Sequence, residues 1–160
     1  NEGGVNMLEV KVKYFNGAEK LKKLTVGNWI DLRANQSIIL YEGEHAMIPL
    51  GIAMELPVGY EAVVVPRSSS FKNYGFIQTN HIGVIDNSYC GDNDQWYLPI
   101  YCLQGRSGYD DEQSKSFTVI NRGDRVCQFR IQKVQPEINF VEVEHLVNKD
   151  RGGFGSTGVK

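Results

Sequence analysis

The chain has 160 residues, 41% of them hydrophobic and 22% charged, with a formal net charge of -2. That length is one ordinary domain. The composition is globular rather than disordered, and no run approaches the ~18 apolar residues of a membrane span. So balanced a charge gives no footprint for a long nucleic-acid groove, so neither a membrane nor a nucleic-acid partner is expected. A small anion is still within reach of a few local cations and backbone amides.

Cys90, Cys102 and Cys127 are odd in number and show no CxxC spacing. They read as small semi-buried apolar residues in a reducing, cytoplasmic protein, and no leader for secretion is expected. Residues 1–6, Asn-Glu-Gly-Gly-Val-Asn, read as an expression scar before Met7.

Period-two patterning dominates the rest. Leu8, Val10, Val12 and Tyr14 alternate with charged residues, the pattern of a half-buried strand. Further short strands are expected at 37–40, 45–49, 60–65, 76–79, 96–103, 117–120 and 140–143. In the run 126–134, Cys127, Phe129 and Ile131 share one face. Turn residues such as Pro57-Val58-Gly59 and Asn121-Arg122-Gly123-Asp124 punctuate them. Many short strands at this spacing predict an all-β barrel or sandwich. One short helix is expected, with Ser68-Ser69-Ser70 as its cap and Gly75 as its stop. The polar run 106–116 reads as an exposed loop. The tail 151–160 carries four glycines and reads as a disordered end or as an arm that orders on something else.

Five segments carry more chemistry than a scaffold needs. Asp31 sits inside a strand-like stretch, where a turn or salt-bridge role is the ordinary one. Pro66-Arg67-Ser68-Ser69-Ser70 puts a guanidinium and hydroxyls at a helix start, which suits either phosphate binding or simple capping. Asn80 to Tyr89 reads as a hairpin with Gly83 at its centre. Asp86 is placed beyond it to polarise a water or to open an Asx turn, and Tyr89 to offer a flat face. His81, without a second histidine, reads as a surface residue. The segment 122–128 is a tight turn feeding a strand, with Gln128 on the polar face. In 150–158, glycines, Ser156, Thr157 and Arg151 suit phosphate oxygens, and Phe154 is an aromatic with nothing local to pack on.

Taken in this order, the segments resemble the five motifs of the trimeric dUTPases (deoxyuridine 5'-triphosphate nucleotidohydrolases), of phage or bacterial type. The specific parts are PRSS from Pro66, GVIDxxYxG from Gly83, GDRxxQ from Gly123 and GGFGSTG from Gly152. The resemblance implies a jelly-roll-like, mostly antiparallel β domain over 7–148. It also implies a flexible glycine-rich arm over 149–160 that closes on a neighbouring subunit's site. The implied assembly is a homotrimer with sites at subunit interfaces. The implied reaction is hydrolysis of dUTP to dUMP and pyrophosphate by water attack on the α-phosphate, which keeps uracil out of DNA. The implied cofactor is Mg2+, held by substrate phosphates and waters rather than directly by protein.

By the same resemblance, Asp86 activates the water. Asn80, with the backbone of Gly83, Val84 and Ile85, reads the uracil edge, and Tyr89 lies under the deoxyribose. Arg67, Ser68, Ser69 and Gln128 contact the phosphates, and Asp31 supports the site and the metal's water shell. Arg151, Phe154, Gly155, Ser156 and Thr157 form the closing arm. Family arms usually place two more residues between the arginine and the phenylalanine, so here either Arg151 keeps its phosphate contact or Phe154 keeps its stack. Trp96 reads as core, with a second stacking role as the alternative. A dCTP deaminase of the same fold is a competing reading, disfavoured because Trp96-Tyr97-Leu98-Pro99-Ile100 lacks the required glutamate and Lys72 stands near the expected arginine. A nucleotide-gated protein-binding regulator, contacting an unknown partner through residues 105–114, is another.

Overall fold

A strand is stable only where its ladder is paired and one face is covered, so the alternating segments have to find one another across the chain. The computed structural model describes residues 7–23 and 25–158. The segment read as a scar, 1–6, lies outside the described residues, as do the last two residues of the arm. In chain order the elements are β1 (Lys11–Tyr14), β2 (Ile30–Arg33), β3 (Ile38–Tyr41), β4 (His45–Pro49), β5 (Ile52–Glu55) and β6 (Tyr60–Pro66). There follow α1 (Ser70–Tyr74), β7 (Phe76–Gln78), β8 (Gly83–Ile85), β9 (Tyr97–Cys102), β10 (Gly108–Asp110), β11 (Lys115–Ile120) and β12 (Arg125–Lys133).

Every pairing is antiparallel, and the strands form open sheets in the orders β1-β5, β10-β11-β3, β2-β12-β6-β8 and β4-β9-β7. This is an all-β, jelly-roll-like arrangement with one short helix, and no sheet closes on itself into a barrel among the described residues. No described helix is long and apolar enough to cross a membrane.

Leu32, Ile48, Val64, Phe76, Ile100 and Ile120 come from six strands and converge on one core. At its centre the Trp96 and Phe129 rings meet edge to face, with centroids 5.3 Å apart and planes at 88°. That is the favoured aromatic geometry. Trp96 is fully buried, which removes the alternative in which it stacks on a ligand. In β12 the register shifts between Arg125 and Cys127, and the bulge turns both Val126 and Cys127 inward.

Several expectations are corrected. The stretch 140–143 is exposed and forms no strand, because β12 ends at Lys133 and no described strand pairs beyond it. The run 106–116 is not a simple loop: β10 and β11 pair across a turn at 111–114, with Asp110 Oδ1 accepting the amides of Glu112 and Gln113. The strand β5 has no counterpart among the expected elements, since three consecutive buried residues (Ile52, Ala53, Met54) hide its period. The segment 80–89 is not a hairpin centred on Gly83. The turn lies at 79–82, β7 pairs with β9, and β8 pairs with β6 in another sheet. Gly75 does stop the helix in a left-handed conformation, φ 70°.

Phe129→Ala removes half of the central aromatic contact from a residue only 2% exposed. Urea unfolding should show a loss of about 3–5 kcal/mol.

Candidate active site

Pro66 ends β6, and the chain then turns sharply into α1. The turn is fixed by Ser70, whose Oγ accepts the Arg67 amide at 3.0 Å and donates to the Val126 carbonyl at 3.0 Å. The sequence points to the serines as caps, yet Ser69, at the N-cap, makes no side-chain cap bond. Among the described residues the hydroxyls of Ser68 and Ser69 are uncommitted, and they stand beside the one serine that is structural.

Arg67 is aimed by an acid. Its Nε lies 3.1 Å from Asp31 Oδ1, and Arg125 Nη1 lies 3.3 Å from Asp31 Oδ2. Asp31 reaches both because β2 and β6 flank β12, so that Gln128 pairs with Asp31 on one side and Val65 on the other. Gln128 Nε2 donates to the Pro66 carbonyl at 3.3 Å. The Cys127 thiol beside this group is inert: burial, and then the Asp31 charge, push its pKa far above the usual thiol range. Arg67 and Ser68 line a shallow depression of about 290 Å³ with His81 and Gln78.

A larger cleft, about 430 Å³, lies on the other side of Gln78. It gathers Asn80, Gly83, Val84, Ile85, Asp86 and Tyr89. β8 is the terminal strand of its sheet, hydrogen-bonded to β6 along one edge only. The other edge therefore offers peptide N–H and C=O groups as a strand-like recognition surface. The sequence missed Gln78, Gln95 and Tyr97, which also line the cleft. The one available signal was Gln78 itself, a polar residue at an inward position of β7.

Asp86 follows β8 directly. Its Oδ1 accepts the Ser88 hydroxyl at 2.6 Å and the Ser88 amide at 2.8 Å, which is an Asx turn. Oδ2 makes no hydrogen bond to any described residue. Those two donors, the hydroxyl first, hold the Asp86 pKa below the ordinary 3.8. The Tyr89 hydroxyl donates to the Gln95 carbonyl at 2.6 Å, pinning the ring at the cleft wall. Burial, and then the Asp94 charge, raise its pKa, so the phenol stays a donor.

The arm is placed apart. Its backbone bonds are two local turns, Ser156 to the Gly153 carbonyl and Gly158 to the Gly155 carbonyl, and Phe154 is fully exposed. The described chain thus gathers the 80–89 segment in one cleft and Arg67, Ser68, Asp31 and Gln128 around a second locus. Arg151, Phe154, Gly155, Ser156 and Thr157 stay outside both.

A jelly-roll-like fold carrying an aromatic-walled cleft with a free carboxylate oxygen at its rim defines a β protein built to hold a small polar ligand. A family model described as dUTPase matches residues 28–94, which contain the first three motifs. The SPbeta prophage-derived deoxyuridine 5'-triphosphate nucleotidohydrolase YosS of Bacillus subtilis (strain 168) is 49% identical over 154 residues, 96% of this chain and 100% of that protein. A deoxyuridine 5'-triphosphate nucleotidohydrolase of Finegoldia magna is 36% identical, over 93% of this chain and 99% of that protein. The chain belongs to the dUTPase family. In fold it is similar to a Staphylococcus bacteriophage 80alpha dUTPase mutant solved with dUpNHpp, with a TM-score of 0.74 at 21% identity, covering 94% of this chain and 99% of that one. It is also similar to a mutant dUTPase of phage phi11 of S. aureus in which coordination of a structural Mg(II) ion was described, with a TM-score of 0.68 at 19% identity, covering 85% and 98%.

Because the Asp86 pKa is depressed by Ser88, the interaction is present above the ordinary pKa and is lost as pH falls through the depressed one. In Ser88→Ala, an NMR titration of the Asp86 carboxyl carbon should show its midpoint moving up toward the ordinary value.

Proposed function

We propose that the chain hydrolyses dUTP to dUMP and pyrophosphate, with Asp86 as the residue that aims the attacking water. The observation that carries this reading is the Asp86 carboxylate at the cleft rim, with one oxygen locked by Ser88 and the other open. A carboxylate held ionised and oriented in this way hydrogen-bonds a water toward the α-phosphorus. The water oxygen bonds to that phosphorus as its proton passes to the open Asp86 oxygen and the bridge to the β-phosphate breaks, and pyrophosphate carries the displaced electron pair away. A carboxylate held below its ordinary pKa is a modest base, so most of the acceleration comes from positioning and charge stabilisation.

The nucleotide's parts map onto the cleft. The free edge of β8, from Gly83 through Val84 to Ile85, reads the uracil edge together with Asn80, and a base with the wrong donor pattern leaves those groups unpaired. Tyr89, fixed through its hydroxyl, packs under the deoxyribose where a 2′-hydroxyl would collide. Arg67, Ser68, Ser69 and Gln128 hold the phosphates of a nucleotide bound across subunits of a homotrimer. The place of Arg67 and Ser68 in a depression distinct from the cleft, on the other side of Gln78, supports that composite arrangement. The arm of a third copy closes over it through Gly155, Ser156 and Thr157, with either Arg151 on the phosphates or Phe154 stacked on the base. The exposed Phe154, and the purely local backbone bonds of the arm's described residues, support that role.

Magnesium, when bound, would supply neutralisation of the triphosphate charge. The residues present fit an ion ligated by phosphate and water. Asp31 already has both oxygens engaged by Arg67 and Arg125, so its place is in support of the water shell. A cytoplasmic setting suits the free thiols of Cys90, Cys102 and Cys127. Deamination of dCTP is not favoured, given the family and the absence of glutamate from β9.

The test is pyrophosphate release from each common deoxynucleoside and nucleoside triphosphate, with and without Mg2+. dUTP should be the substrate consumed. Asp86→Asn should keep nucleotide binding while turnover falls by on the order of 10²–10⁴. Truncation after Asp150 should leave a folded assembly, by size-exclusion chromatography, with strongly reduced kcat/KM. Full activity without the arm would remove the closing role.

A further inference from the structure

Gln78 is the polar residue that the core has least reason to accept. It is 3% exposed, it follows Phe76 on the inward face of β7, and its Oε1 is buried without a partner among the described residues. Its nitrogen is doubly used: Nε2 donates to the Val64 carbonyl at 3.1 Å and to Asn80 Oδ1 at 2.8 Å. A carbonyl oxygen can only accept. The Val64 carbonyl therefore dictates that the NH₂ end of Gln78 faces it. The same NH₂ end then dictates that Asn80 turns its own oxygen inward. Asn80 Nδ2 is left without a partner among the described residues. It lies beside Gly83, 3.6 Å from where a β-carbon there would stand.

We propose that Gln78 is a specificity-determining positioning residue: it relays the orientation of the Val64 carbonyl to Asn80, so that Asn80 presents a donor to the base. The inference rests on the reading of Asn80 as a base contact. A donor at that place matches a base carbonyl and opposes an exocyclic amine, so the relay selects uracil over cytosine. Flipping Asn80 would put its oxygen toward the base and its nitrogen toward the Gln78 nitrogen, donor against donor. A buried, doubly held amide forbids that flip more firmly than an exposed one. The absent side chain at Gly83 is part of the arrangement. A β-carbon there would stand 3.3 Å from Val64 Cβ and 3.5 Å from Gln78 Nε2, pressing on both ends of the relay.

The experiment is a double-mutant cycle on the full-length protein, using Gln78→Met, Asn80→Ala and the pair, with dUTP kinetics and dCTP as competitor. Gln78→Met keeps the length and removes the amide. It should raise KM for dUTP about tenfold, leave kcat at saturation within about twofold, and narrow the preference for dUTP over dCTP by a similar factor. In the Asn80→Ala background, Gln78→Met should add less than about twofold, because the two act as one unit. Full additivity, or a fall in kcat with KM unchanged, would overturn the relay and make Gln78 a packing residue. An unchanged KM in Asn80→Ala alone would instead overturn the base-contact reading, and the relay with it. If Gln78→Met does not fold, the wild-type protein decides. The Gln78 side-chain amide protons should resist solvent exchange while those of Asn80 shift on addition of dUMP. Free exchange at Gln78 would refute the proposal.

Discussion

The exposed edge of β8 is the constraint around which the rest of the molecule is arranged. A strand three residues long has little stability of its own, and this one is held by antiparallel pairing to β6 alone. β6 is in turn clamped by the nine-residue β12, the longest strand in the molecule. Burying the second edge of β8 would strengthen the sheet and abolish the row of free peptide groups. An unpaired edge is ordinarily an aggregation liability. Here its hazard is limited by shortness, by a turn before it and by Asp86 directly after it.

The same logic accounts for the break between β7 and β8. Sending the two strands to different sheets opens a wedge between them, and the cleft is that wedge. A true hairpin over 76–85 would close it. Gln78 lies at the apex, lining the cleft on one side and the depression of Arg67 and Ser68 on the other. The cleft and the depression of Arg67 and Ser68 are thus two sides of one buried amide.

Much of this was legible in the residues. Period-two runs located β4, β6, β9 and most of β12, because each buries one face and leaves the other wet. β5 was hidden because both its faces are covered, and β10 because its exposed residues carry no alternation. The stretch 140–143 shows the converse error: local β-propensity without a partner makes no strand. At the site, the motifs singled out Asp86, Tyr89 and Arg67, which the structure places in a cleft or a charged cluster. The residues also offered an Asx turn at Asp86, and Ser88 supplies its amide and hydroxyl donors. No sequence pattern could show that Asp31 bridges two arginines from separate elements. Those are contacts between residues 2 to 94 positions apart, set by the register of β2 on β12 and by one Asx turn.

The grouping of Asp31 with Arg67 and Arg125 has an electrical consequence. One carboxylate between two guanidiniums leaves a surplus of one positive charge, held by ladder geometry before any anion arrives. The surplus is set by folding, since the two guanidiniums are gathered on one carboxylate rather than left to repel each other across the surface.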